Sequence, residues 1–228
     1  MGQNTQFLAE GALLSEAADS VRTILSPLAR RVSVKRGEFV VEQDTQITDI
    51  WFVLKGQARA VIYSEDGQEI WMQSFGPGDL FGHSAVMTNS AVQFGIVAEK
   101  AMDLLIIPAK HFQERIQSDV GLSHRVATDL ADRLNIMTLR MFELSTLSAP
   151  ARIGMELLRL AQPIGIDEDR MIIRPAPVLS NMALKVQSTR ETASRTVSRL
   201  LKMGLISRQP GAIVIEDSET MKDRLQDL

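Results

Sequence analysis

The sequence predicts an α+β chain: an N-terminal antiparallel β-roll (a double-stranded β-helix), a long dimerisation helix and a C-terminal winged helix-turn-helix. Three patterns predict it. Up to about residue 107, short apolar runs alternate with glycine-marked turns, as short antiparallel strands require. From 108 to 147 the apolar residues recur in alternating steps of three and four, a helical period. From 179 to 215 two short helical patterns, separated by a turn, precede a hairpin. The expected division is therefore 1–107, 108–147 and 148–228.

In the first part, Arg31-Val32-Ser33-Val34 alternates and Lys35-Arg36-Gly37 turns. Phe39-Val40-Val41 and Ile50-Trp51-Phe52-Val53-Leu54 follow, and Lys55-Gly56 turns again before Ala58-Arg59-Ala60-Val61-Ile62-Tyr63. Asp66-Gly67 is a tight hairpin signal, because these residues tolerate positive φ. Residues 69–75 pair back, and Gly76-Pro77-Gly78-Asp79 breaks the chain.

The helical stretch carries Val120, Ser123, Ala127, Leu130, Leu134, Met137, Met141 and Leu144 at heptad spacing. Such a seam packs either on its own domain or on a partner helix. Its length, with Arg125, Asp129, Asp132, Arg133 and Arg140 lying off it, favours a symmetric parallel dimer. Ser148 caps the next helix, Pro150 is tolerated in its first turn, and Pro163 stops it. Residues 165–170 read as a polar loop and 171–173 as a short strand. A short helix over 179–186, a turn at Gln187-Ser188, a helix over 189–203 and a hairpin over 205–215 complete the motif.

Composition bounds the function. The chain has 228 residues, enough to bury a core without staples. It has no cysteine, which excludes disulfides, zinc thiolate sites and iron–sulfur clusters. Residues 1–10 show no secretory pattern and no apolar stretch is long enough to span a bilayer, so a cytoplasmic, non-membrane protein is expected. The net charge of −3 means that nucleic-acid binding must rest on local charge. Residues 174–208 supply it: Arg174, Lys185, Arg190, Arg195, Arg199, Lys202 and Arg208 stand against the single acid Glu191. No Ser/His/Asp set, carboxylate pair or metal cluster stands out, so the chain does not read as an enzyme.

The helix over 189–203 is the most informative element. Val197, Leu200 and Leu201 make an apolar inner face, while Arg190, Glu191, Ser194 and Arg195 cluster at the N-terminal end on another. A helix that reads DNA presents its first turn to base edges in the major groove. There an arginine can donate two hydrogen bonds to guanine and a glutamate can accept from cytosine. On charge alone, Glu191 and Arg195 could equally form an ordinary i,i+4 surface ion pair.

Together these residues resemble the Crp/Fnr superfamily of bacterial transcription regulators over nearly the whole chain. The resemblance rests on a β-roll with glycines at its turns (Gly37, Gly56, Gly67, Gly78, Gly82), the dimer helix and the winged helix. Its most specific piece is Arg190-Glu191-Thr192, then Ser194-Arg195, with Leu205-Ile206 closing the motif. It implies Arg190, Glu191 and Arg195 as base readers. Ser194 matches the Fnr branch and Arg190 the Crp branch, and both branches recognise half-sites with a TGA core. Thr189, Arg199, Lys202 and Arg208 would contact phosphates. The implied partners are palindromic double-stranded DNA, a second copy of the chain and, for an activator, RNA polymerase. The turn usually carries glycine in this family. Here it is Gln187: a glutamine holds such a turn where φ stays negative, and otherwise the turn is altered.

The family's roll often holds cyclic AMP through a glutamate after glycine, an arginine and a neighbouring Ser/Thr. Here those positions fall on His83, Gln93 and Phe94. A buried cyclic phosphate needs its arginine, so an effector other than cyclic AMP is expected. The candidate pocket residues are Phe81, Gly82, His83, Ser84, Gln93 and Phe94. Relatives that bind haem use histidine. Of His83, His111 and His124, His83 lies where the pocket should be, either as a ligand or as a structural residue. An uncharged ligand remains open. So does a regulator with no small-molecule ligand, acting constitutively or through a protein partner.

Overall fold

The computed structural model describes residues 25, 27, 29–67, 69–164 and 167–225. The chain forms two units that part within one long helix, one ending at Asn135 and the other continuing from Ile136.

In the first unit, strands β1 (Arg30–Val34), β2 (Phe39–Val41), β3 (Asp49–Tyr63), β4 (Glu69–Phe75), β5 (Leu80–Phe81) and β6 (Gly95–Pro108) form one antiparallel sheet. Its order is β1-β6-β3-β4, with β2 on β6 and β5 on β3. The Asp66-Gly67 hairpin forms as expected: Gly67 has φ 79 and its N–H donates to the Ser64 carbonyl at 2.8 Å. Lys55-Gly56 does not turn the chain. β3 runs through it for 15 residues, and its register against β6 shifts around Gly56 instead. The reason is a close approach: a Cβ at Gly56 would lie 2.3 Å from the Ala101 carbonyl oxygen of β6. Glycine here permits a bulge that bends a long strand pair into a roll.

A six-residue helix, α1 (His83–Thr88), is entered through left-handed Gly82 (φ 86) and was not legible as a separate element. Residues 108–147 are helical but not continuous. Helix α2 (Ala109–Ser118) and helix α3 (Val120–Thr146) are separated at Asp119, whose backbone is extended. The Asp119 carboxylate accepts from the Leu122 N–H at 2.9 Å, so it satisfies a free donor of a new helix start. Two apolar clusters fill this unit. One is built round Phe75, Phe81, Met102 and Leu104, the other round Ile50, Ile107, Phe112 and Leu122.

The second unit continues from the end of α3 into α4 (Ala149–Leu160), β7 (Gln162–Ile164), β8 (Asp167–Ile173), α5 (Leu179–Lys185), α6 (Arg190–Lys202), β9 (Ile206–Gln209), β10 (Ala212–Ile215) and α7 (Ser218–Leu225). Ser148 caps α4 as expected, its Oγ accepting from the Ala151 N–H at 3.1 Å. The stretch expected as a loop before 171 belongs largely to β8. Met171 and Ile172 pair with Pro163 and Gln162 on one side and with Ile215 and Val214 on the other. Pro163 is tolerated because β7 is an edge strand. The four-stranded sheet, ordered β7-β8-β10-β9, and helices α4 to α7 enclose one core around Ile153, Leu157, Val197, Leu200 and Met221.

Candidate nucleic-acid interface and ligand pocket

Helix α6 is capped and two-faced. The Thr189 Oγ1 accepts from the Thr192 N–H at 3.1 Å. Ala193, Thr196, Val197 and Leu200 are buried, while Leu201 is only half-buried. Thr196 sits in the apolar stripe because its hydroxyl donates to the Thr192 carbonyl at 2.8 Å. Arg190, Glu191, Ser194 and Arg195 are all exposed and together line one open concavity at the N-terminal end of the helix. Glu191 and Arg195 form no ion pair with each other among the described residues. The acceptor and the two forks therefore stand ready for an external partner. Arg199 and Lys202 lie exposed at the far end of the helix, and Arg208 lies exposed on β9.

The turn ahead of α6 keeps the left-handed form that a glycine would take. Gln187 has φ 51, in the left-handed region. Its N–H donates to Leu184 O at 3.1 Å, and the Ser188 N–H donates to Ala183 O at 2.9 Å. This pair of bonds is the Schellman ending of α5, which demands a left-handed residue just past the helix. Backbone hydrogen bonding thus overrides the side chain's preference for negative φ.

In the first unit a cavity of about 200 Å³ lies between α1 and the segment 90–94. Gly82, Ser84, Gln93 and Phe94 are among the residues that line it. Sequence reasoning missed Ala85, Thr88, Ser90, Ala91 and Val92, which also line it; of these only Thr88, four residues after Ser84, could have been grouped by helical spacing. No lining side chain is charged. The hydroxyls are partly engaged: Thr88 Oγ1 donates to Ser84 O at 2.9 Å and lies 2.8 Å from Ser90 Oγ.

Phe81 and His83 lie outside this lining. Phe81 is buried and stacks on Trp51 with ring centres 5.4 Å apart. His83 is 4% exposed and faces α3, with Nε2 3.5 Å from Asp129 Oδ2 and neither ring nitrogen in a hydrogen bond. Burial pushes the His83 imidazole down to about 4, only partly opposed by Asp129 and reinforced by Arg133. It is neutral at pH 7. Arg133 fills the space beside it, donating to Asp129 at 2.8 Å, Gln73 at 3.3 Å and Asp79 at 3.4 Å, with its guanidinium 4.9 Å from the Phe75 ring centre. Asp79 also accepts from the Gly76 N–H at 2.6 Å, as a turn residue would. The i,i+4 spacing of Asp129 and Arg133 was the one sequence signal for this cluster.

Along α3 the heptad positions are open. Val120, Ala127, Leu134, Met137, Met141 and Leu144 are exposed, Leu134 and Met141 to 66%, and Ser123 and Leu130 are half-buried. An apolar stripe of this length on a helix surface is characteristic of a packing face. Among the described residues no three His, Cys, Asp or Glu side chains gather as a metal site, and no helix is long and apolar enough to cross a membrane.

Comparison with known proteins agrees with these features. Residues 31–119 match the model of the cyclic nucleotide-binding domain. The chain is 23% identical over 225 residues to the "CRP-like cAMP-activated global transcriptional regulator" of Mycobacterium tuberculosis, covering 96% of this chain and 98% of that one. It is 26% identical over 179 residues to the "cAMP-activated global transcriptional regulator CRP" of Salmonella typhimurium, covering 77% and 84%. Among solved structures, a mutant of CooA from Carboxydothermus hydrogenoformans superposes with a TM-score of 0.79 at 18% identity, covering 96% and 99% of the two chains. That likeness shows the fold.

Proposed function

The chain belongs to the Crp/Fnr superfamily of transcription regulators, a DNA-binding family, and on that premise we propose that it acts in the cytoplasm as a homodimer on an inverted repeat with TGA-core half-sites. One observation carries this reading: Arg190, Glu191, Ser194 and Arg195 share one exposed concavity at the start of a capped helix, with no partner of their own among the described residues. Arg190 and Arg195 donate to guanine edges and Glu191 accepts from cytosine. Thr189, Arg199, Lys202 and Arg208 hold phosphates and set the register without specifying sequence. The seam Ala127, Leu130, Leu134, Met137, Met141 and Leu144, exposed except at the half-buried Leu130, joins two chains. A two-fold dimer then presents two copies of α6 to half-sites about one helical turn, or roughly 34–36 Å, apart. Residues 1–107 sense, 108–147 dimerise and 148–228 bind DNA, and an activator of this design would also touch RNA polymerase.

Any small-molecule effector of the roll is a molecule other than cyclic AMP. The absence of a charged side chain from the pocket lining supports this, since a bound phosphate would lack its counter-charge. The pocket volume, about 200 Å³, favours the alternative that no small molecule binds and that the roll acts constitutively or through a protein partner, because ligand sites usually measure about 300–1,000 Å³. A gel-shift titration with a TGA-core palindrome and a scrambled duplex tests the central reading. Tighter binding to the palindrome is expected, and equal affinity for both would overturn it.

A further inference from the structure

The turn before α6 is strained at Gln187, and one side chain reaches across to it. Arg152, on α4, donates from Nε to Val186 O at 3.0 Å and from a terminal nitrogen to Gln187 O at 3.4 Å. Its other terminal nitrogen donates to Leu147 O at 2.8 Å, one residue past the end of α3. One planar guanidinium thus satisfies three carbonyls from two places in the chain. Those of Val186 and Gln187 flank the left-handed residue, and that of Leu147 is left over where the long helix stops. A non-glycine residue with φ 51 persists only when its surroundings over-determine it. The Schellman bonds supply part of that constraint from within α5, and Arg152 supplies the rest from outside it.

We infer that Arg152 is a positioning residue for DNA reading: by clamping the Val186 and Gln187 carbonyls to the end of α3, it sets the angle at which α6 presents Arg190, Glu191 and Arg195. The inference rests on the DNA-reading assignment of α6. The geometry explains why a fork is needed and a point charge is not enough. Three acceptors on two segments are held together by five donors fixed in one plane, which a lysine's single ammonium lacks. Arg152 is half-buried and lies on α4, away from the exposed reading face, so it acts through the turn and not on the nucleic acid. Gln187 and Arg152 form a pair in this respect. A glycine at 187 would take the left-handed conformation without help, so the clamp matters most while the turn holds glutamine.

The test compares the full-length wild type, Arg152→Met, Gln187→Gly, the double variant and Arg190→Ala. Each is titrated on a TGA-core palindrome and on a scrambled duplex, with melting followed in parallel. Methionine keeps the apolar stem and removes every donor. Arg152→Met should lower the ratio of specific to non-specific affinity about tenfold, the scale of one or two lost charge-assisted hydrogen bonds. Its non-specific affinity and salt dependence should stay unchanged. Adding Gln187→Gly should recover part of the ratio, whereas Gln187→Gly alone should change little. Amide exchange at Gln187 and Ser188 should quicken in Arg152→Met, an outcome independent of DNA. An unchanged ratio, an equal loss on both duplexes, or no recovery with glycine would overturn the inference. Should Arg152→Met not fold, Arg152→Lys is measured in the same way, and an unchanged ratio there overturns it as well. If the wild type itself shows no preference and Arg190→Ala has no effect, the DNA-reading assignment fails. Amide exchange then still judges the clamp.

Discussion

Acidification should weaken the first unit through one side chain, His83. Its imidazole is 4% exposed, and its ring nitrogens form no hydrogen bond. Burial lowers its pKa from 6.5 to about 4. A folded value below the unfolded one means that the unfolded chain takes up the proton first. The stability conferred by keeping the ring neutral is therefore complete above about pH 6.5 and is lost as pH falls towards about 4. The span between those values, at about 1.36 kcal/mol per unit, corresponds to roughly 3 kcal/mol, a large share of the 5–15 kcal/mol typical of a domain. Asp129 and Arg133 from α3, Gln73 from the sheet and Asp79 from the turn after it are the polar groups around this cluster. Asp103, held low by its hydrogen bonds from Ser33 and Arg31, loses its contribution only below its ordinary value of 3.8, outside this window. The assay is urea unfolding followed by tryptophan fluorescence between about pH 7.5 and about pH 4.5. Both tryptophans, Trp51 and Trp71, are buried in the first unit, so the signal reports that unit. His83→Leu, which removes the titrating group and strands no hydrogen-bond partner, should flatten the profile. An equal slope in the variant, or no loss of stability in the wild type, would refute the reasoning.

Other outcomes follow from the same structure. Arg190→Ala or Arg195→Ala should cost about 1–3 kcal/mol at the cognate site and relax base preference there, while Lys202→Ala should weaken all DNA alike and reduce the salt slope by about one; competition binding at two salt concentrations separates the two kinds. Gly82→Ala should destabilise the first unit by about 1–3 kcal/mol, because the residue has φ 86 and a Cβ would sit 2.9 Å from the Trp51 ring; the tryptophan-detected urea midpoint reads it. Leu134→Glu, at a position 66% exposed in the single chain, should convert the dimer to monomer in sedimentation velocity, and a dimer that survives it would remove the seam from the interface.

Much of the candidate reading site was legible because it is local. Residue spacing marks α6, a Thr189 cap starts it, and charge at consecutive turns places Arg190, Glu191, Ser194 and Arg195 on one face. The seam on α3 was legible for the same reason: a heptad is a relation among residues three and four apart. The break at Asp119 was missed because a capping aspartate inside an apolar period looks like any surface acid until its carboxylate meets Leu122. His83 was placed by its neighbours in sequence, yet a helix of six residues turns it away from the Ser84 side and towards Asp129, 46 positions later. The same applies to Gly56, whose need for a missing Cβ comes from the Ala101 carbonyl on another strand.

The chain's own periodicities settled most of its element types, the exposed Arg190–Arg195 face of α6 and the apolar stripe of α3, because each depends on residues within one or two turns of each other. The tertiary structure alone decided that Lys55-Gly56 bends a strand, that Arg152 of α4 meets the carbonyls of the Gln187 turn, and that His83 is buried and neutral and lies outside the pocket lining. Each of those outcomes depends on an atom brought close by the fold from a distant part of the sequence, and distance along the chain carries no record of that approach.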